Sequence, residues 1–215
     1  RITLIAEIGW NFLGDLDIAK NMIIAAAESG ADLVKFQYWK ENNLKAGLWD
    51  TDGRREIYKK AQLDINKYNK LREIANESNV NCFCSVFSLI DAKELASNGD
   101  KIIKIPSHES YNLPLIEFSL DTFSDVYLSV GALSKDELDI LTKYSKYENL
   151  TVMHCVSSYP LLVDNVNLNK LKYLSTIFDS VGYSGHYEGI EDAISAICFD
   201  SKIIEKHFTI DKNLP

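Results

Sequence analysis

The sequence lacks several features that would narrow its role at once. No apolar run among its 215 residues is long enough to span a bilayer, and no N-terminal segment reads as a signal peptide, so the expected setting is the cytoplasm. Positive charge is not in surplus. Lys and Arg number 23 against 31 Asp and Glu, a formal net charge of −8, which argues against nucleic-acid and anionic-membrane partners. Cysteine is sparse: Cys82, Cys84, Cys155 and Cys198, none with zinc-finger spacing. Cys82 and Cys84 alternate along an expected strand and are too close for an ordinary bridge. All four are expected to be buried free thiols. There is no internal repeat, no low-complexity linker, and no Gly-rich phosphate loop after the first expected strand.

What the chain does have is a regular alternation of short apolar runs and amphipathic segments. Strands are expected at Ile2–Gly9, Asp32–Tyr38, Asn81–Phe87, Lys101–Pro106, Asp125–Val130, Leu150–Val156, Ser180–Ser184 and Lys202–Thr209. Helices are expected at Asp15–Ser29, Asp64–Ser78, Leu89–Asn98, around Pro114–Ser119, and at Lys135–Tyr147, Leu168–Leu174 and Ile190–Phe199. Asp15 or Asp17 and Ser134 are candidate N-caps, and Gly30 and Gly99 close helices. A polar stretch from Lys40 to about Arg55, then a helical patch, interrupts the pattern. Such alternation implies parallel pairing with right-handed crossovers. Eight strands suit an α/β fold of the TIM (β/α)8 type, with an open doubly wound sheet as the alternative. One catalytic barrel domain over 1–215 is expected. The eighth covering helix is missing, so the sequence reads as a piece of a longer chain or a barrel without its last helix.

Charged and metal-binding side chains stand near the ends of these runs. Glu7, Lys35, Lys104, His186, and the trio Glu205, Lys206 and His207 all do so. A charge in a buried strand is costly unless it is paired or bound. In a barrel, the C-terminal strand ends converge on one mouth. Glu205 and His207 share one face of their strand by period-2 alternation, and His186 ends the neighbouring strand. Two neutral imidazoles there suit a divalent metal such as Mn, Fe or Zn. His154 lies earlier on its strand and reads as structural. His108 follows the fourth strand, where simple exposure accounts for it. Lys35 and Lys104 either snorkel outward or reach an anion, with hydroxyls at Ser85, Ser107, Ser129, Ser157 and Ser184 near other strand ends. Glu7 is either a lysine partner or a general base or sugar-hydroxyl acceptor, and Gln37 and Tyr159 suit a polyol. Together these residues point to a metal-assisted reaction between an anionic and a polyhydroxylated substrate.

Six segments carry a resemblance. They are Ala6-Glu7-Ile8-Gly9-Trp10-Asn11, Gly30 through Gln37, Lys104-Ile105-Pro106-Ser107, His154 through Pro160, Gly182 through His186, and Ile204 through Thr209. In order and spacing the set resembles the sialic acid synthase family, which includes N-acetylneuraminate, legionaminate and pseudaminate synthases. The resemblance implies a TIM barrel followed by a small antifreeze-like domain absent here, in a homodimer whose partner completes the sugar site. It implies condensation of phosphoenolpyruvate with an N-acylated hexose aldehyde (an N-acylhexosamine), giving a nine-carbon 2-keto sugar acid and phosphate. The implied metal ligands are His186 and His207, with Mn or Mg the expected ion. Lys35, Ser85 and Ser184 would hold the phosphoenolpyruvate carboxylate, and Lys104, Ser107, Ser129 and Ser157 its phosphate. Glu7, Gln37 and Tyr159 would face the sugar, with Glu109 as a second acid/base.

Two departures from the family pattern stand out. The family reads Asn-His after its first strand, where this chain has Asn11-Phe12. It reads Ser-Asp-His at the seventh, where this chain has Ser184-Gly185-His186. Gly185 removes a carboxylate from beside an expected metal ligand. The changes leave open a condensing enzyme with another acceptor, or a non-catalytic sugar- or phosphate-binding relative.

Overall fold

Eight parallel strands close into a barrel in chain order in the computed structural model, which describes residues 1–43, 46–158 and 161–213. The elements are β1 (Thr3–Gly9), α1 (Leu16–Glu28), β2 (Leu33–Tyr38), α2 (Arg54–Ala61), α3 (Ile65–Glu77), β3 (Asn81–Val86), α4 (Leu89–Ser97), β4 (Ile102–Ile105), α5 (Leu113–Thr122), β5 (Asp125–Ser129), α6 (Lys135–Leu141), β6 (Leu150–Cys155), α7 (Asn169–Leu174), β7 (Val181–Gly185), α8 (Glu191–Cys198) and β8 (Ile203–His207). Closure is made by β8 on β1, in a register that sets Ile203 beside Thr3 and His207 beside Glu7.

Local chemistry explains the helix ends. The Asp15 carboxylate accepts from the backbone N–H groups of Asp17 and Ile18 and starts α1. Ser134 and Glu137 form a reciprocal capping box on α6. The helix expected to run to Tyr147 stops at Leu141 and tightens into a 3-10 turn at Thr142–Tyr144. There the Thr142 hydroxyl donates to the Asp139 carbonyl, a local bond that competes with continued α-helix. The helix around Pro114 is longer than expected, because Asn112 caps it and Pro114 falls in its first turn, where a missing N–H costs nothing.

Two apolar layers result from strand alternation. Outward residues such as Ile8, Phe36, Cys84, Ile105 and Leu128 pack under the helices. Inward residues Ile5, Leu33, Phe83, Tyr127, Met153 and Ile203 plug the barrel floor. Phe83 and Tyr127 meet edge to face there, with ring centroids 5.6 Å apart. Among the described residues no helix follows β8, and Leu4, Ala6, Ala26, Ile204 and Phe208 line a groove on the outer face of β8 and β1. All four cysteines are free. Cys84 and Cys155 are buried as expected, but Cys82 is half-buried and Cys198 is exposed. Cys198 is the last residue of α8, where the helix leaves the barrel wall. No helix among the described residues is long and apolar enough to cross a membrane.

Candidate active site

Above the apolar floor the inward side chains turn polar within one residue pair. Ile5 is followed on its face by Glu7, Leu33 by Lys35, Phe83 by Ser85, Tyr127 by Ser129 and Ile203 by Glu205. The polar members of these pairs, with Lys104, Cys155 and Ser184, line a mouth cavity of about 170 Å³. Its rim carries Gln37, Phe87, Pro106, Ser107, His108, Ser157, His186 and His207. The floor makes the cavity a closed cup, so polar groups there exchange water for one another.

Two lysines and two glutamates organise the cup. Lys35 Nζ lies 2.5 Å from Glu7 Oε2 and 3.9 Å from Glu205 Oε2. It also donates to Ser85 Oγ at 2.7 Å. Lys104 Nζ lies 2.9 Å from each Glu205 oxygen, and the Ser184 hydroxyl donates to Glu205 Oε1 at 2.9 Å. All four charged side chains are less than a tenth exposed. Burial alone disfavours every one of these charges, so each must be held by its partner. Burial opposes ionisation of Glu205, yet Lys104 and Lys35 together outweigh it and hold its pKa at about 2. Burial likewise pulls Lys35 down, and Glu205 and Glu7 more than compensate, so its pKa stands above the usual lysine value. The formal charges cancel, leaving a neutral but strongly polarised cup.

Glu7 is further fixed by Gln37, whose Nε2 donates to Glu7 Oε1 at 2.7 Å. Gly9 permits this arrangement. Its φ is +59°, and a Cβ there would lie 3.1 Å from Glu7 Oε1 and 3.3 Å from Gln37 Nε2. Ser107 accepts from the Ala132 N–H at 2.6 Å, which leaves its own O–H to donate. Thus Glu7, Lys35, Gln37, Ser85, Lys104, Ser107, Ser129, Ser157, Ser184, His186 and His207 share one cavity. Tyr159 lies outside the described residues. Glu109 does not line the cavity: in the 3-10 turn Ser107–Glu109 its carboxylate points to Asn112 Nδ2 at 2.9 Å. His108 is exposed, as expected, but it also lines the rim and stacks on Phe87 with centroids 5.5 Å apart. Glu205 stands among the strand-end charges of the sequence but was given no role in the site. The signal was present, since Glu205 shares a face with His207 two residues on.

The rings of His186 and His207 stand with centroids 5.6 Å apart. His186 Nδ1 is 2.7 Å from the Val156 carbonyl, so Nδ1 carries the proton and Nε2 the lone pair. Burial pushes the His186 pKa down to about 4, so the ring is neutral at pH 7. A neutral imidazole oriented through its other nitrogen is what a metal ligand requires. Among the described residues no group of three or more His, Cys, Asp or Glu is arranged to hold a metal ion. The pair would supply an ion with two protein nitrogens and leave its other positions open. Nitrogen donors suit Mn better than Mg, which favours an all-oxygen shell.

His154 is buried, and its Nε2 meets the Val166 carbonyl at 2.8 Å, anchoring the segment before α7. That is the structural role its early strand position suggested. Phe12 turns away from the mouth into the core, edge to face with Phe36 at 5.6 Å. Gly185 faces the outer side of β7, where the Asp192 carboxylate occupies the space its side chain would fill.

The NeuB family model matches residues 22–215. The N,N'-diacetyllegionaminic acid synthase of Campylobacter jejuni is 36% identical, over all of this chain and 69% of that protein. The pseudaminic acid synthase of Helicobacter pylori is 33% identical, over 98% of this chain and 66% of that protein. The crystal structure of an N-acetylneuraminic acid synthetase from Leptospira borgpetersenii in complex with citrate superposes with a TM-score of 0.88 at 31% identity, covering 99% of this chain and 75% of that one. The chain spans about two thirds of the length of the two curated relatives. Barrel, matched span and likeness to three named sugar-acid synthases agree, and the chain belongs to the NeuB family.

Proposed function

We propose that this barrel condenses phosphoenolpyruvate with an N-acylated hexosamine aldehyde, giving a nine-carbon 2-keto sugar acid and phosphate. The observation that carries the reading is the cup itself. Lys35 and Lys104 are buried in the cavity that they share with five serines and the His186–His207 pair. A cation buried at a strand end, with hydroxyl donors around it, is a site for a small multivalent anion.

The residues divide the work as follows. Lys35, Ser85 and Ser184 receive the carboxylate of the phosphoenolpyruvate. Lys104, Ser107, Ser129 and Ser157 receive its phosphate. The incoming anion competes with Glu7 and Glu205 for the lysines, which keeps the cup closed to weaker anions. Held at both ends, the enol carbon is oriented toward the rim, a positioning gain worth several kcal/mol. Gln37 and Glu7 meet the sugar hydroxyls from the β1–β2 side. A divalent ion held by His186 and His207 would supply positive charge and Lewis acidity to the aldehyde oxygen. The enol CH2 carbon bonds to the aldehyde carbon, whose oxygen gains a proton. Water adds at C2, and phosphate leaves with C–O cleavage. In this reading Glu7 would hold or pass a proton at the aldehyde oxygen.

The test is phosphate release with each component varied in turn. Release is expected when Mn2+, phosphoenolpyruvate and an N-acylhexosamine are all present, with the protein at the full length of its relatives. Release with a simple aldose in place of the N-acylhexosamine would favour another acceptor. Binding of both substrates with no release would favour a non-catalytic relative.

A further inference from the structure

Behind the barrel wall, on the face of β7 and β8 away from the cup, lies a small polar cluster outside the proposed chemistry. The β7–β8 ladder ends at the pair Gly185 and Lys206. Each is the immediate chain neighbour of one rim histidine, His186 and His207. Past that last pair, Lys206 reaches across the gap. Its Nζ donates to the carbonyl of Tyr187, just after His186, at 2.5 Å. The same Nζ lies 3.0 and 3.1 Å from the two oxygens of Asp192, in the first turn of α8. The Asp192 side chain is fully buried and also accepts from the Tyr183 hydroxyl at 2.9 Å.

Glycine at 185 is the geometric condition for this cluster. A Cβ there would lie 2.5 Å from Asp192 Oδ2, 2.7 Å from Tyr183 Cε1 and 3.0 Å from Lys206 Cδ. A side chain at 185 and the Asp192 carboxylate therefore exclude each other. The carboxylate that the sequence lacks at 185 is present in space, delivered from α8.

We propose that Lys206 and Asp192 are positioning residues, a clamp that sets the separation of His186 and His207 from behind the wall. Its use rests on the proposed role of the two histidines as joint ligands of one ion. The clamp is intramolecular, with Asp192 buried and Lys206 half-buried, so it acts before any ligand arrives. An ion pair that merely stabilised the fold would leave the histidine spacing alone when removed.

The experiment compares the parent chain with Lys206→Met and Lys206→Arg. Mn2+ affinity is measured by calorimetry, and the metal-free His186–His207 separation by crystallography. Lys206→Met is expected to lose about 10–100-fold in Mn2+ affinity. The rings should spread beyond the 5.6 Å centroid separation. Lys206→Arg, which keeps the donor and the charge, should recover most of the affinity. Charge alone predicts the opposite sign for Lys206→Met, because losing a cation beside an uncompensated Asp192 should tighten cation binding. Unchanged or tighter Mn2+ binding would overturn the clamp, as would a weaker affinity with the ring separation preserved. If Lys206→Met does not fold, Gly185→Ala judges the same point by displacing Asp192, and unaltered affinity there overturns it. If the parent chain binds no Mn2+, the metal reading fails by itself. The ring separation in the variant then decides: spread rings support the clamp, and preserved spacing rejects it.

Discussion

Lys104 Nζ stands 2.9 Å from both carboxylate oxygens of Glu205, a two-point ion pair across the barrel between β4 and β8. The pair spans 101 residues of sequence and is almost fully buried. A buried pair of this kind contributes little net stability, but losing one partner strands the other charge. In the proposed reaction, Glu205 would hold in place the cation that meets the anionic substrate.

Glu205→Gln should expose this relationship. The variant keeps the shape of the side chain but leaves Lys104 without its countercharge, at a cost of about 3–5 kcal/mol. Inorganic phosphate in the cup would supply the missing charge. Phosphate is therefore expected to raise the melting temperature of Glu205→Gln more than that of the parent protein. Equal shifts in the two would remove Lys104 from the anion site.

Substrate selectivity of the lysines gives a second prediction. Lys35→Met and Lys104→Met each delete charge-assisted hydrogen bonds worth about 1.5–3 kcal/mol apiece. Phosphoenolpyruvate affinity should fall roughly 10–100-fold in each, on the same free-energy scale. Binding of an N-acylhexosamine should change far less in Lys104→Met, which leaves Glu7, its partner Lys35, Gln37 and the rim untouched. Calorimetric titration of each variant with each substrate separates the two effects, and matched losses for both substrates in Lys104→Met would contradict the division of the cup.

His186 makes stability depend on pH in a definite direction. Burial lowers its pKa from the usual 6.5 to about 4, so the folded protein prefers the neutral ring. The contribution is fully present above pH 6.5 and is lost as pH falls toward 4, where the unfolded chain binds the proton first. The shift corresponds to about 3 kcal/mol at its limit. Glu205 acts in the same direction at lower pH, its contribution being lost as pH falls from its usual 4.5 toward about 2. His186→Gln should flatten the stability profile between pH 4 and 6.5 while leaving the lower limb in place. Denaturant titrations across that range check it, and an unaltered slope would show that His186 titrates normally.

The barrel was legible in the sequence because each buried strand is a short apolar run, and each run is separated from the next by a helical segment. The floor of the cup was legible through alternation, since Ile5 and Glu7, or Leu33 and Lys35, share a face. Glu7 could be read as a lysine partner, but the pair that crosses the barrel was not legible. Nothing local to Glu205 announces Lys104, whose distance along the chain is bridged only when the barrel closes. Glu109 lies off the cavity for a different reason. A three-residue 3-10 turn steps side chains by about 120°, so Ser107 and His108 reach the cavity while Glu109 swings to Asn112. Asp192 was hidden because its element is a helix, whereas the chemistry was sought at strand ends.

Phe12 offers the sharpest test of how to weigh a departure from a family pattern. By position it stands where the resemblance places a histidine, so its change suggested an altered site. By geometry it is a core residue, 1% exposed and packed edge to face on Phe36. Phe12→Ala should therefore cost about 3–5 kcal/mol of stability, the usual range for emptying a buried aromatic site. Phosphate affinity should be unchanged, since the ring turns away from the mouth cavity. Phe12→His is the more telling variant. It restores the family residue, yet places a polar ring against Phe36, and an unsatisfied buried donor or acceptor costs about 1–3 kcal/mol. The expected outcome is a less stable protein with no gain in metal or substrate binding, read by denaturant titration and calorimetry together. A gain in substrate affinity from Phe12→His would mean that the segment after β1 turns this side chain toward the mouth when ligand binds, and that Phe12 belongs to the site after all.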